Sequence, residues 1–155
     1  APLACQNRAD CCWLACRDAG SRWWHSRPLM GGVCPCCGFL PVASVVRSGG
    51  EVGNLRYLHC ALCNTEWNLV RVKCTACDAT EGVSYRHLEA DGITGADAVR
   101  AETCDACKSY LKIVYQEKGP VDPVADDLAT LALDILVDEA GYARSGPNLL
   151  LVPGG

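Results

Sequence analysis

Leu55-Arg-Tyr-Leu-His-Cys60-Ala-Leu-Cys63-Asn-Thr-Glu-Trp-Asn-Leu-Val-Arg-Val-Lys-Cys74-Thr-Ala-Cys77 decides the fold class, because it places two Cys-x-x-Cys pairs ten residues apart. Cys34/Cys37 stands 22 residues before the first of them, and Cys104/Cys107 stands 26 residues after the second. Two thiolates three residues apart on a tight turn can face one tetrahedral ion, and a second turn from elsewhere completes a four-sulfur site. Cys34, Cys37, Cys60, Cys63, Cys74, Cys77, Cys104 and Cys107 therefore predict two metal sites. The residue after each second cysteine needs a left-handed backbone, and Gly38, Asn64 and Asp78 tolerate one while Lys108 is the weak match.

Working outward, the intervening segments read as hairpins. Val-, Tyr- and Leu-rich runs at Leu40–Arg47, Leu55–His59, Trp67–Lys73, Val83–Leu88 and Tyr110–Gln116 predict strands. Turn signals at Ser48-Gly49-Gly50 and Asp91-Gly92 separate them. Folding each hairpin back brings Cys34/Cys37 to Cys60/Cys63 and Cys74/Cys77 to Cys104/Cys107. The rival is a cross-braced arrangement, first pair with third and second with fourth. Trp67, Tyr57, Tyr85, Tyr110 and Tyr115 alternate with polar residues and read as core.

Residues 120–155 carry six carboxylates against Arg144 alone and predict a helix. Asp122 caps it, Pro123 opens it, Asp126 and Asp127 suit its first turn, and Gly141 stops it. Val124, Leu128, Leu131 and Ile135 form one apolar stripe, expected to pack on the strands. The tail from Gly146 is expected to be irregular and to dock through Leu149–Val152. Residues 1–32, with Cys5, Cys11, Cys12, Cys16, Trp13, Trp23 and Trp24, show no sustained period. They read as readily as a non-native stretch as they do as a native one, and a start at Ala1 reads as a fragment.

Of 155 residues, 50% are hydrophobic and 21% charged, which describes a globular chain rather than a disordered one. Thirteen cysteines would suit a disulfide framework only in an oxidising compartment, and no signal peptide or membrane span is readable. A thioredoxin-type redox pair would sit at a helix start in a βαβ pattern, which the sequence lacks. Cys36 reads as a partly exposed thiol outside the ligand set. His59 reads as a neighbour of the first site rather than a ligand, and His25 and His87 have no partner at ligand spacing. No catalytic motif is present: neither Gly-x-Ser-x-Gly, a phosphate-binding glycine loop, nor His-Glu-x-x-His.

Residues beyond the cysteines add a resemblance. Cys34-Pro-Cys-Cys-Gly38, Leu55–Cys63 running into Thr65-Glu-Trp67, Arg71-Val-Lys-Cys74, Glu102-Thr-Cys104, Tyr110–Glu117 and Ala125-Asp-Asp-Leu-Ala129 together resemble the FdhE family of formate dehydrogenase accessory proteins. The likeness runs over about residues 33–154. It implies two tandem rubredoxin-like modules, each with a tetracysteine metal site, in a mainly β chain with a C-terminal helix (small α+β). The corresponding divisions are 1–32 unassigned, 33–73 first module, 74–119 second module, and 120–155 helix and tail. Two departures accompany it: residues 1–32 do not match the family's helical N-terminal region, and Cys36 stands where an ordinary side chain is expected.

The resemblance also implies function. A cytoplasmic, non-enzymatic maturation factor would bind the catalytic subunit of formate dehydrogenase, with two metal ions, iron favoured and zinc open. A homodimer is left open, and membrane insertion is not expected. Two other readings are a rubredoxin-like iron electron carrier and a nucleic-acid-binding zinc ribbon. Nine basic and ten acidic residues interspersed over 33–119, and a net charge of -4, argue against the ribbon, since phosphate contacts need clustered Lys and Arg.

Overall fold

β-branched and aromatic residues favour a pleated, half-buried surface, and the runs that carry them are strands in the computed structural model, which describes residues 31–49, 53–88 and 98–151. The strands are β1 (Pro41–Arg47), β2 (Leu55–Cys60), β3 (Glu66–Asn68), β4 (Val83–Arg86), β5 (Val99–Cys104), β6 (Ser109–Tyr115) and β7 (Ala143–Arg144). They form one sheet in the order β3-β2-β1-β6-β5-β4, with β7 beside β6. Neighbours are antiparallel except β1 with β6 and β6 with β7. Among the described residues, two α-helices, α1 (Pro123–Ala129) and α2 (Leu131–Glu139), complete a mostly β architecture.

Three expectations are corrected. The strand expected over Trp67–Lys73 is only β3, because Val72 takes a left-handed φ of 59° and Leu69 turns inward, 7% exposed. β5 was not anticipated: Val99-Arg-Ala-Glu-Thr-Cys has little β propensity and is held by pairing on both sides, with β4 and β6. Leu149–Leu151 do not dock; they form an exposed turn of 3-10 helix, and the tail is anchored instead by buried Asn148. Gly50, Asp91-Gly92, His25, residues 152–155 and the Cys and Trp residues of the first thirty positions lie outside the described residues.

The single predicted helix is two helices, and buried Lys112 meets the break. Its ammonium, fully buried on β6, donates to the carbonyls of Asp127 (2.8 Å) and Thr130 (3.0 Å) and to Asp134 Oδ2 (2.7 Å). Both carbonyls also accept amides three residues on, from Thr130 (3.3 Å) and Leu133 (3.1 Å), in place of the i+4 amides of a continuous ladder, and the chain leaves helical geometry at Thr130 (φ −118°, ψ 37°). α1 starts as predicted, with Asp122 accepting from the amides of Val124 and Ala125. The break changes the phase, so Leu131 and Ile135 face solvent at 41% and 61% exposed, while Leu133 and Val137 are buried.

Leu133 and Val137 close the helix-side core with Val99, Ala101, Tyr110, Val114 and Tyr142. Leu58, Leu69 and Leu111 form a smaller cluster under Trp67. β1 and β6 are buried along nearly their whole length, as expected of central strands covered on both faces. Gly146 lies against Pro41, where an added Cβ would stand 1.8 Å from the carbonyl oxygen. Gly146→Ala is expected to cost about 1–3 kcal/mol as the crowded segment shifts. A lower urea midpoint at unchanged slope is the checking measurement.

Candidate metal centres

Three of the Cys-x-x-Cys turns are built by the same backbone closure. Gly38, Asn64 and Asp78 donate their amides to the carbonyls of Cys34 (3.0 Å), Cys60 (3.3 Å) and Cys74 (3.1 Å). Cys34, Cys60 and Cys74 in turn donate to Phe39, Thr65 and Ala79. The closing residues take φ of 74°, 58° and 62°, and Lys108 takes 53° despite its side chain. Lys108 gains an ion pair to Asp105 Oδ1 (2.9 Å) and a place 5.2 Å from the Tyr142 ring. The Tyr142 hydroxyl also donates to Asp105 Oδ1 (2.7 Å), and these contacts hold the Asp105 carboxyl below its usual range.

The turns meet as the hairpin reading predicts. Cys34, Cys37, Cys60 and Cys63 form one group and Cys74, Cys77, Cys104 and Cys107 the other, with the sulfurs in each group within 4.8 Å of one another. The cross-braced rival is set aside by this grouping. β1–β2 pairing closes the first group and β4–β5 pairing helps close the second. In each, the leading cysteines of the turns (Cys34 and Cys60, Cys74 and Cys104) are buried.

The sulfur geometry fits a tetrahedral ion. A metal–sulfur bond of about 2.3 Å implies sulfur–sulfur edges of about 3.8 Å. Four such edges are 3.6 Å (Cys34–Cys63), 3.4 Å (Cys37–Cys60), 3.6 Å (Cys74–Cys107) and 3.7 Å (Cys77–Cys104). The amides of Leu62 (3.4 Å) and Cys63 (3.5 Å) point at Cys60 Sγ, and that of Ala76 (3.4 Å) at Cys74 Sγ. Such amides stabilise thiolate charge.

Proton affinities within each group diverge. Burial opposes ionisation of Cys63, but hydrogen bonds from the Thr65 hydroxyl and amide and from the thiols of Cys37 and Cys34 bring it down to about 6. Burial likewise opposes ionisation of Cys107, which the Ser109 hydroxyl and Cys77 bring down to about 7. The partner thiols move the other way. The Ala79 amide favours the Cys77 thiolate, but desolvation and the thiols of Cys107, Cys74 and Cys104 together outweigh it and push Cys77 up to about 12. Burial drives Cys37, Cys34 and Cys74 upward.

Thr65 and Ser109 were missed by the sequence reading. Each stands two positions after the second cysteine of its turn, with its hydroxyl 3.2 Å from Cys63 Sγ and 2.9 Å from Cys107 Sγ. That shared offset was a readable signal. Cys36 is half-buried and His87 exposed, and neither belongs to a sulfur group. His59 lies beside the first group, 3.3 Å from both Glu66 Oε1 and Asn64 Oδ1. With Arg47 it holds the Glu66 carboxyl below its usual range. Trp67, expected as core, is half-buried and donates its indole N–H to Gly31 O (2.8 Å). Among the described residues, no helix is long and apolar enough to cross a membrane.

Comparison with known proteins gives a consistent result. Residues 33–71 match the family model for the FdhE central domain, and residues 72–151 that for the FdhE C-terminal domain. The protein FdhE homolog of Edwardsiella ictaluri is 57% identical over 123 residues, covering 79% of this chain and 38% of that protein. Its counterpart in Pseudomonas aeruginosa is 50% identical over 125 residues, covering 79% and 40%. The crystal structure of the FdhE protein from Pseudomonas aeruginosa superposes with a TM-score of 0.71 at 46% identity, covering 80% of this chain and 42% of that one. The chain thus spans about two fifths of the length of the relatives it matches.

Proposed function

The chain belongs to the FdhE family, and on that premise we propose that it is an accessory factor in the production of active formate dehydrogenase, binding the catalytic subunit in the cytoplasm without catalysing a reaction itself. Two rubredoxin-like modules, residues 33–73 and 74–119, present the binding surface, and residues 120–155 brace them. Cys34, Cys37, Cys60 and Cys63 hold one metal ion, and Cys74, Cys77, Cys104 and Cys107 hold the other. Iron is the metal, as the family resemblance suggests. Bound metal supplies the cross-link that a small β module cannot obtain from its own core. The chain's part is to present four sulfurs at tetrahedral spacing, aim amides at them, and shield the leading cysteine of each turn from water.

The observation that carries this reading is the match to both FdhE domain models together with eight cysteines gathered in two tetrahedral groups. Its test is anaerobic purification of the tagged protein with a formate dehydrogenase catalytic subunit. Two irons per chain, visible thiolate charge-transfer bands and retention of the subunit are expected. Two zincs with the subunit retained would correct the metal alone, and a metal-loaded protein that retains no subunit would reject the client-binding role.

A further inference from the structure

Arg56 stands on β2, four residues before the first-centre cysteine Cys60, yet its side chain serves the second centre. The residue is 1% exposed. Its Nη1 donates to the carbonyl of Lys73 (2.9 Å), immediately before Cys74, and its Nη2 to Glu102 Oε1 (2.6 Å), two residues before Cys104. The guanidinium thereby fixes the approach to both turns of the second sulfur group. Its own carbonyl accepts from Leu69 N (3.1 Å) and Asn68 Nδ2 (2.9 Å), gripping the connector between the centres at its other end.

The ion pair has little tolerance for rearrangement. Arg56 Nε and Glu102 Oε2 are buried without a hydrogen-bond partner, and the Tyr85 hydroxyl that also faces the Glu102 carboxylate is neutral and cannot replace the guanidinium's charge. Removing one member would leave the other charged and unpaired in the interior. A second contact links the two centres independently. Gly32, two residues before Cys34, lies so close to the second centre that an added Cβ would stand 1.8 Å from Thr75 O. The turn holding Cys34 therefore rests on the backbone between Cys74 and Cys77.

We propose that Arg56 is a positioning residue that couples the two centres, so that filling the first, which anchors β2 at Cys60, raises the affinity of the second for metal. The proposal rests on the reading of the eight cysteines as metal ligands. Coupling of this kind is reciprocal, so filling the second raises the affinity of the first equally.

The test uses the whole protein, stripped of metal under anaerobic reducing conditions and titrated with Co2+, whose tetrathiolate absorption reports each site. Cys37→Ser leaves the second centre alone competent, and Cys77→Ser leaves the first. Wild type should take up two ions with positive cooperativity. Arg56→Met should abolish that cooperativity and, in the Cys37→Ser background, weaken the second centre by roughly tenfold or more. The first centre, read in the Cys77→Ser background, should change much less. Glu102→Gln keeps the shape and one acceptor, removes the charge, and should give a smaller loss at the same site. It carries the comparison if Arg56→Met does not fold.

Independent uptake in wild type, or equal weakening of both centres by Glu102→Gln, would overturn the coupling while leaving the ligand assignment intact. Wild-type protein that binds no Co2+ would overturn both.

Discussion

Cys104→Ser is expected to abolish cooperative unfolding of the second half of the sheet and to reduce metal content to one ion per chain. Cys104 is buried at the end of β5, 3.7 Å from Cys77 Sγ, so a serine there leaves three thiols and a hydroxyl that is a poor match for a soft tetrahedral site. Structural tetrathiolate sites are worth on the order of 10–16 kcal/mol of apparent binding energy, about as much as the roughly 5–15 kcal/mol stability of a whole domain. Loss of one should therefore not appear as a modest shift in midpoint. Amide exchange by mass spectrometry is the direct readout: protection should vanish over β4, β5 and β6 and persist in β1 and β2. Full metal content and an unchanged melting profile would remove Cys104 from the ligand set. Excess chelator on the unmodified protein should extend the loss to both halves.

Asp127→Ala should give the second large effect, about 3–5 kcal/mol of lost stability, typical of breaking a buried charge network. The Asp127 side chain is fully buried and accepts from Arg144 Nη2 (2.6 Å) and Asn148 Nδ2 (2.7 Å), with Lys112 Nζ 3.2 Å away. Removing it leaves Asn148 Nδ2 with only the longer bond to Val124 O (3.4 Å), and leaves Asp134 as the one carboxylate facing both Lys112 (2.7 Å) and Arg144 (3.4 Å). Asp127→Asn keeps an acceptor for one donor, so its loss should be smaller. Denaturant unfolding of the metal-loaded protein measures both, and metal content should remain at two ions. A loss below about 1 kcal/mol for Asp127→Ala, the range of an exposed pair, would show the network to be dispensable.

The Cys-x-x-Cys turns and their grouping were legible because the spacing that lets two sulfurs face one point is tightly constrained. The closing residue must accept positive φ, so Gly38, Asn64 and Asp78 announce themselves. Lys108 did not, because its compensation lies in Asp105 and in Tyr142, a residue far along the chain. The charged interior was illegible for a related reason. Arg56, Glu102 and Lys112 look like solvent-facing strand residues until their partners on other elements are known. A lysine on β6 seats its ammonium on the carbonyls at a helix break more than ten residues later, and no local propensity encodes that. β5 was hidden similarly, since Arg100, Ala101 and Glu102 form strand only between the β4 and β6 that receive them.

The parallel pairing of β1 with β6 has a consequence for biosynthesis. Ser44 and Lys112, hydrogen-bonded across that junction, are 68 residues apart. Synthesis at roughly 5–20 residues per second separates their emergence by about 3–14 s. Once β2 has followed, β1 is paired on one side and, until β6 arrives, its other edge, in a strand carrying Val42, Val45 and Val46, lacks its partner. Apolar edges of this kind recruit other strands. The nascent first half is therefore the form most prone to aggregate, and it remains so until β6 arrives to cover it.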